Sequence, residues 1–362
     1  MGSYSVQSAA SGRYLRFSNA DGKVWIVPLK GMRTALNLYQ PSSRNGLLVK
    51  LLLPYLYWLL IVRRVVGAQR VDVALEPEFE RRLQSVLNRK EFDFSIFEGT
   101  PSVHQKVTIQ LSTGAKILGY CKVSNNPDVV QLFDGEAKIL SDLQSRGIEN
   151  IPRVLYCGAI SKGNADSIFV QSTIKTNSSE VVHRWRAEHS EFLGQLQQRT
   201  AHKILFAESD FASSLRLLDG YLDRFEVGSR ATLARALERV RDHFGSGEVS
   251  FSAYHADFTP WNILFERGKI FVFDFEYASM SYPPQLDWYH FFTQTAIFER
   301  HLTAEAIVAE FRERQSGRSE MLFSAYLLDI ISRYAAREGG EIGKATETQI
   351  KFWIEILGML NI

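Results

Sequence analysis

Cysteine is almost missing from this chain: of 362 residues only Cys121 and Cys157 carry a thiol. Each sits in an apolar run ("LGYCKV", "VLYCGA"), the usual place of a small buried thiol in a reducing compartment. No Cys and His residues have the spacing of a structural zinc site. An excess of charge is missing too. With 42 Lys and Arg against 40 Asp and Glu, the formal charge is +2, which argues against an electrostatic nucleic-acid binder. "MGSYSVQSAASGRYLRF" contains no continuous apolar signal segment, so a cytoplasmic location is expected. Internal repeats and low-complexity tracts are absent as well. At 45% hydrophobic residues, the chain has enough apolar side chains for a sizeable core divided between two lobes.

A long apolar run is lacking. The nearest approach, "LLVKLLLPYLYWLLIVRRVVG" (47–67), has twelve uncharged residues between Lys50 and Arg63. Twelve helical residues reach about 18 Å, short of a hydrocarbon core of ~30 Å, and Pro54 interrupts them. The segment is expected to be a helix. Three readings stay open: one buried or packed on a lobe, one lying on a membrane surface or mediating dimerisation with Lys50, Arg63 and Arg64 snorkelling, and a true membrane span.

Before it, "YLRFSN" and "KVWIVPL" read as strands around the Asp21-Gly22 turn. A helix is expected from Pro77. Residues 90–174 then give three strands ("DFSIFEGT", "KVTIQLS", "AKILGYCKV"), a helix ("NPDVVQLFDGEAKILSDLQSRG", opened by Pro127 and stopped by Gly147) and two more strands ("PRVLYCGAI", "SIFVQSTI"). From about 179 onward apolar residues recur at helical spacing, with one exception, "YHADFTPWNILFERGKIFVFDFEYA" (254–278). That stretch reads as a loop, a strand, an Arg267-Gly268 turn and a second strand. Asn262 stands at the entrance of the hairpin and Asp274 at its exit, so folding the strands back brings both to one end. Asp257 precedes Asn262 by five residues. An amide and a carboxylate are suitable hard-oxygen ligands for Mg²⁺, and a further carboxylate can accept the proton of an attacking hydroxyl.

His255-x-Asp257-x₄-Asn262, followed by Asp274-Phe275-Glu276, resembles the catalytic segment shared by protein kinases and, more closely, by the aminoglycoside phosphotransferase and choline/ethanolamine kinase families. "HADFTPWNIL" is similar to the small-molecule branch, and Glu276 stands where protein kinases carry Gly. The short interval from "DFE" to "SYPPQLD" leaves no long activation segment, which argues against a protein substrate. The resemblance, covering about residues 90–340, implies a bilobal protein-kinase-like α+β fold with a β-rich N-lobe, one αC-type helix and a mainly helical C-lobe. It implies ATP and Mg²⁺ as cofactors, with Asp257 as catalytic base and Asn262 and Asp274 as metal ligands. Lys122 in the third strand would meet the α/β-phosphates, held by Glu136 on the following helix. The phosphate loop departs from the pattern: "FEGTPSVHQK" has a single glycine, Gly99, so the backbone from Thr100 to His104 and the side chain of Lys106 are the candidates there. Adenine would meet backbone near Gln171 to Lys175. His255 is expected to pack beneath the loop and Asp287 to buttress it. Glu276 is expected near the metal or a cationic group, or as a cap of the next turn. Trp261, Tyr277, Trp288 and Tyr289 read as core packing rather than a cation-binding box.

The expected organisation is an N-terminal extension (1–90), an N-lobe (91–175) and a C-lobe (176–362). The expected function is a kinase acting on a small-molecule hydroxyl, on an amino alcohol, an aminoglycoside-like or other sugar, or a cell-envelope precursor. The alternative is a nucleotide-binding pseudokinase without turnover.

Overall fold

Alternation of apolar and polar residues in the first 175 residues produces one antiparallel sheet. The computed structural model describes residues 3–9, 11–41, 44–100, 105–161, 163–314, 319–337 and 344–360. Over these, residues 1–145, 149–180 and 264–276 form one unit, and residues 146–148, 181–263 and 277–362 a second.

In the first unit the strands are β1 (Tyr4–Ser8), β2 (Tyr14–Ser18), β3 (Val24–Pro28), β4 (Gln69–Leu75), β5 (Asp93–Glu98), β6 (Val107–Thr113), β7 (Lys116–Ser124), β8 (Val154–Ala159) and β9 (Ser167–Ser172). Their order in the sheet is β1-β4-β2-β3-β5-β6-β7-β9-β8. The first 90 residues thus add four strands to the sheet that carries the expected lobe. The junction is the β3–β5 pairing, where Ile26 faces Ile96.

Both faces of β3 are covered, which is why every one of its residues is buried and no in-out alternation of polarity survives in it. On one face Val24 and Ile26 pack with Phe79 and Leu83 of α4 (Pro77–Leu87). On the other, Trp25 and Val27 join Leu15, Phe17 and residues of α1 (Met32–Ala35) and α2 (Arg44–Leu56). The apolar run expected as one helix over 47–67 forms two, α2 and α3 (Leu60–Val66), parted by a turn at Tyr57 and Trp58. Pro54 forfeits an intrahelical hydrogen bond, and α2 ends two residues beyond it. No described helix is long and apolar enough to cross a membrane.

A polar seam ties α1 and the turn that follows it to β6 and to the segment after β9. Asn37 donates to Asn177 Oδ1 at 2.6 Å, Gln110 to the Thr34 carbonyl at 2.9 Å, and Lys175 Nζ to the Asn37 carbonyl at 2.9 Å. Burial pushes the Lys175 ammonium down to about 7, and the nearby Lys50 charge adds to the shift. After α5 (Pro127–Ser145) and the last two strands, the unit is completed by the hairpin of β12 (Ile263–Glu266) and β13 (Lys269–Val272). Arg267 and Gly268 both have positive φ, 52° and 76°, as a two-residue hairpin turn of matching twist requires.

The second unit is mainly helical: α6 (Ala187–Thr200), α7 (Asp210–Asp219), α8 (Val227–Phe244), α9 (Leu286–Phe298), α10 (Ala304–Glu313), α11 (Glu320–Arg337) and α12 (Lys344–Met359). A small sheet of β10 (His202–Leu205), β11 (Glu248–Tyr254) and β14 (Ser279–Tyr282) completes it. Phe211, Leu237, Tyr289, Phe323 and Trp353 belong to a large hydrophobic core in this unit. Both cysteines are free thiols.

Ile26 is fully buried between β3 and α4. Ile26→Ala is therefore expected to cost the unit about 2–5 kcal/mol, read as a lower urea midpoint. An extension that merely leaned on the lobe would leave that midpoint where it is.

Candidate active site

In the first unit the helical period decides where Glu136 points. Val129, Phe133, Glu136 and Leu140 recur along the buried stripe of α5, so a carboxylate is carried into the core with the apolar residues. A buried carboxylate needs a cation, and Lys122 on β7 supplies it: Nζ lies 2.7 Å from Glu136 Oε2 and 2.6 Å from Asp274 Oδ1. Glu136 Oε1 accepts the Phe275 amide at 3.2 Å. Both Glu136 oxygens are therefore acceptors, an arrangement that suits the anion. Burial alone would pull the Lys122 ammonium down, but Asp274 and Glu136 together hold it above its ordinary value. Asp274 follows the hairpin by two residues and has a φ of 68°, a left-handed conformation that a non-glycine residue adopts under constraint.

Lys106 and Glu276 form an ion pair. The two side chains expected at a phosphate and near a metal thus neutralise each other in this structure. Gly99 closes the strand end by accepting Gln105 Nε2 at 2.8 Å through its carbonyl. Thr100 is exposed beside it. Residues 101–104 of the expected phosphate loop lie outside the described residues.

The second unit carries the loop that leaves β11. Phe258 is fully buried and pins it in an aromatic cluster, with ring centroids 6.0 Å from Phe192, 6.1 Å from Trp185 and 6.3 Å from Phe291. His255, also fully buried, lies 6.1 Å from the same ring and accepts the Asp257 amide on Nδ1 at 3.2 Å. Between them Ala256 has a φ of 69°. Asp287, at the start of α9, holds that strained turn by accepting the His255 amide at 3.0 Å and the Ala256 amide at 3.1 Å, one on each oxygen. Burial pushes the Asp287 carboxyl up to about 7, although the two amides oppose it.

Asp257 itself is gripped from two sides. Asn262 Nδ2 donates to Oδ2 at 2.7 Å and to the Asp257 carbonyl at 3.0 Å. His290 Nε2 lies 3.1 Å from Oδ1. Because the amide nitrogen of Asn262 is committed to Asp257, its Oδ1 is the atom left to serve as a ligand, an orientation assigned from the hydrogen-bond pattern. The Asn262 amide oxygen and the Asp274 carboxylate, each taken in its own unit, are hard-oxygen donors of the type Mg²⁺ takes. Among the described residues no group of three or more His, Cys, Asp and Glu could hold a metal by itself.

His290 is the residue that sequence reasoning missed. It lies three positions after Asp287 on α9, on the same helical face, and that spacing was the available signal. Burial lowers its pKa against the pull of Asp257, and because the partner atom is a carboxylate oxygen, Nε2 is assigned as the donor. Nδ1 is buried with no hydrogen-bond partner among the described residues. Trp288 and Tyr289 are buried in the core of this unit, while Trp261 is 37% exposed against Phe298.

The model of the phosphotransferase enzyme family matches residues 120–321, more than half of the chain. Among curated protein sequences none matches. Similar solved structures include a thermostable mutant of aminoglycoside phosphotransferase APH(4)-Ia in its apo form, at 15% identity and a TM-score of 0.50, covering 77% of this chain and 98% of that one. A further mutant of the same protein, in ternary complex with AMP-PNP and hygromycin B, gives 14% identity and a TM-score of 0.52 over 79% and 99%. At such identities the likeness is one of fold, the protein-kinase-like α+β fold expected from the sequence.

Two outcomes are expected. His290→Ala lowers kcat about 10- to 100-fold with Asp257 intact, as loss of a partner that orients a functional group does; an unchanged kcat would remove His290 from that role. Asp287 has a folded-state pKa near 7, above that of an unfolded aspartate. The folded chain therefore binds the extra proton in between, and the contribution of this group to stability falls as pH rises from about 4 to about 7. Asp287→Asn removes that slope from unfolding free energies measured across the interval.

Proposed function

The chain belongs to the phosphotransferase enzyme family, and from that premise we propose that it is a kinase acting on an alcohol group of a small molecule, with ATP its donor, Asp257 its proton acceptor, and Asn262 and Asp274 its ligands for Mg²⁺. The observation that carries this reading is the setting of Asp257. Both carboxylate oxygens are hydrogen-bonded, to His290 and to Asn262, yet the side chain is 31% exposed. It is fixed in place and still reachable by a hydroxyl, the two properties that a positioned base needs.

Lys122 is the proposed partner of the α/β-phosphates. Its three-way pairing with Glu136 and Asp274 supports that role, since it holds a full positive charge at the strand position where such a lysine acts. Bound Mg²⁺ would neutralise charge on the phosphate oxygens. Asp287 and His255 keep the loop backbone in shape, so that Asp257 presents the same oxygen in every turnover. An amino alcohol, an aminoglycoside-like or other sugar, and a cell-envelope precursor are the proposed acceptor classes. Hygromycin B is present in the complex of the similar structure with AMP-PNP, which places aminoglycosides in the first test panel.

Nucleotide binding without turnover is the alternative, favoured by the single glycine of the phosphate loop, Gly99. The two readings separate in one assay of ATP consumption against a panel of amino alcohols, sugars and aminoglycosides. Phosphorylation by wild type, with kcat reduced about 10²- to 10⁴-fold in Asp257→Ala and ATP affinity retained, is the expected result. Wild-type turnover by Asp257→Ala overturns the role of that residue. ATP binding with no phosphorylated acceptor, unchanged by Asp274→Ala, favours the alternative.

A further inference from the structure

The helix pair α2 and α3 is apolar on two sides. Val49, Leu53, Tyr57, Val62 and Val66 turn inward onto the sheet. On the other side Leu51, Tyr55, Trp58, Leu60, Ile61 and Val65 are 62–81% exposed. A surface helix of a water-soluble protein usually carries polar residues opposite its buried stripe, and a contiguous exposed apolar patch of this kind usually marks a binding surface. The charges along this stretch of chain have one sign. Between Asp21 and Asp72 the chain has eight Lys and Arg and no Asp or Glu, in a protein whose overall formal charge is only +2. Of these, Arg44 opens α2, and Arg63 and Arg64 lie on α3 beside its exposed apolar residues.

We infer that α2 and α3 lie in the interface of an anionic lipid membrane, apolar face down, with the flanking cations among the lipid head groups. The combination of apolar side chains, an exposed Tyr55 near the end of α2, an exposed Trp58 in the turn after it, and a uniformly basic stretch of chain is the chemistry such an interface binds. The lengths agree: thirteen and seven residues give about 20 and 10 Å, enough to lie in the interface and too little to span it. A second copy of the chain is the weaker occupant, because a symmetric dimer through this face would bring two uniformly basic segments together. This docking does not depend on the reading of Asp257 and Asp274, and its failure would leave that reading untouched.

The test is co-sedimentation of the full chain with vesicles of phosphatidylcholine alone or mixed with phosphatidylglycerol, at low and high salt. Binding to the anionic vesicles, weakened by salt and accompanied by tryptophan quenching from lipids with brominated chains, is the expected outcome. Arg63→Glu with Arg64→Glu should weaken it on the order of tenfold or more, and Leu60→Ser with Ile61→Ser should abolish the quenching. All four side chains are at least partly exposed, and an unchanged thermal midpoint checks that each variant folds. Absence of vesicle binding overturns the inference, as does equal binding by wild type and both variants. A concentration-dependent dimer that is lost in Leu60→Ser with Ile61→Ser, without vesicle binding, assigns the face to a second copy instead.

Discussion

A buried ammonium held by two carboxylates is the constraint around which the first unit is arranged. Lys122 can stay charged in the interior because Glu136 and Asp274 face it, and removal of the ammonium would leave the carboxylates without a cation, an error worth about 3–5 kcal/mol in buried pairs. Each partner arrives by a different route. The register of β7 turns Lys122 inward, the phase of α5 places Glu136 on its buried stripe, and the β12–β13 hairpin delivers Asp274 from far along the chain. The hairpin belongs to the first unit although the residues on either side of it belong to the second. A segment of sequence from the helical half is thus committed to the electrostatics of the sheet half.

The second unit solves a different problem, that of holding a loop still without regular structure. Its means are one buried aromatic ring, Phe258, and one buried carboxylate, Asp287, whose two oxygens accept consecutive amides around the left-handed Ala256. Backbone conformations of this kind persist where the surroundings over-determine them. His290, from the same face of α9, extends that support to the Asp257 side chain itself. One helix therefore fixes both the backbone and the side chain of the proposed base.

Much of this was legible in the sequence, and for physical reasons. The kinase-like block over 90–174 could be read because its strands and helix change period between two and 3.6 and are bounded by Pro127 and Gly147. The Arg267-Gly268 hairpin could be read because few residue pairs favour that turn. The added sheet strands were harder. β3 is buried on both faces and shows no alternation, and β4 has only Val71, Val73 and Leu75 before the Pro77 helix begins. The break between α2 and α3 follows Pro54, but apolar side chains on both sides of the run concealed which face packs on the sheet. The Lys106–Glu276 pair was illegible, since 170 residues separate its members, and the polarity of each alone suits several roles.

The central claim is that Asp274, held by Lys122 in this structure, is a metal ligand once nucleotide binds. Calorimetric titration of ATP into wild type and Asp274→Asn, with and without Mg²⁺, tests it most directly. The account predicts that Mg²⁺ strengthens ATP binding to wild type and that this strengthening disappears in Asp274→Asn, while metal-free binding persists. An equal gain from Mg²⁺ in both proteins would contradict it.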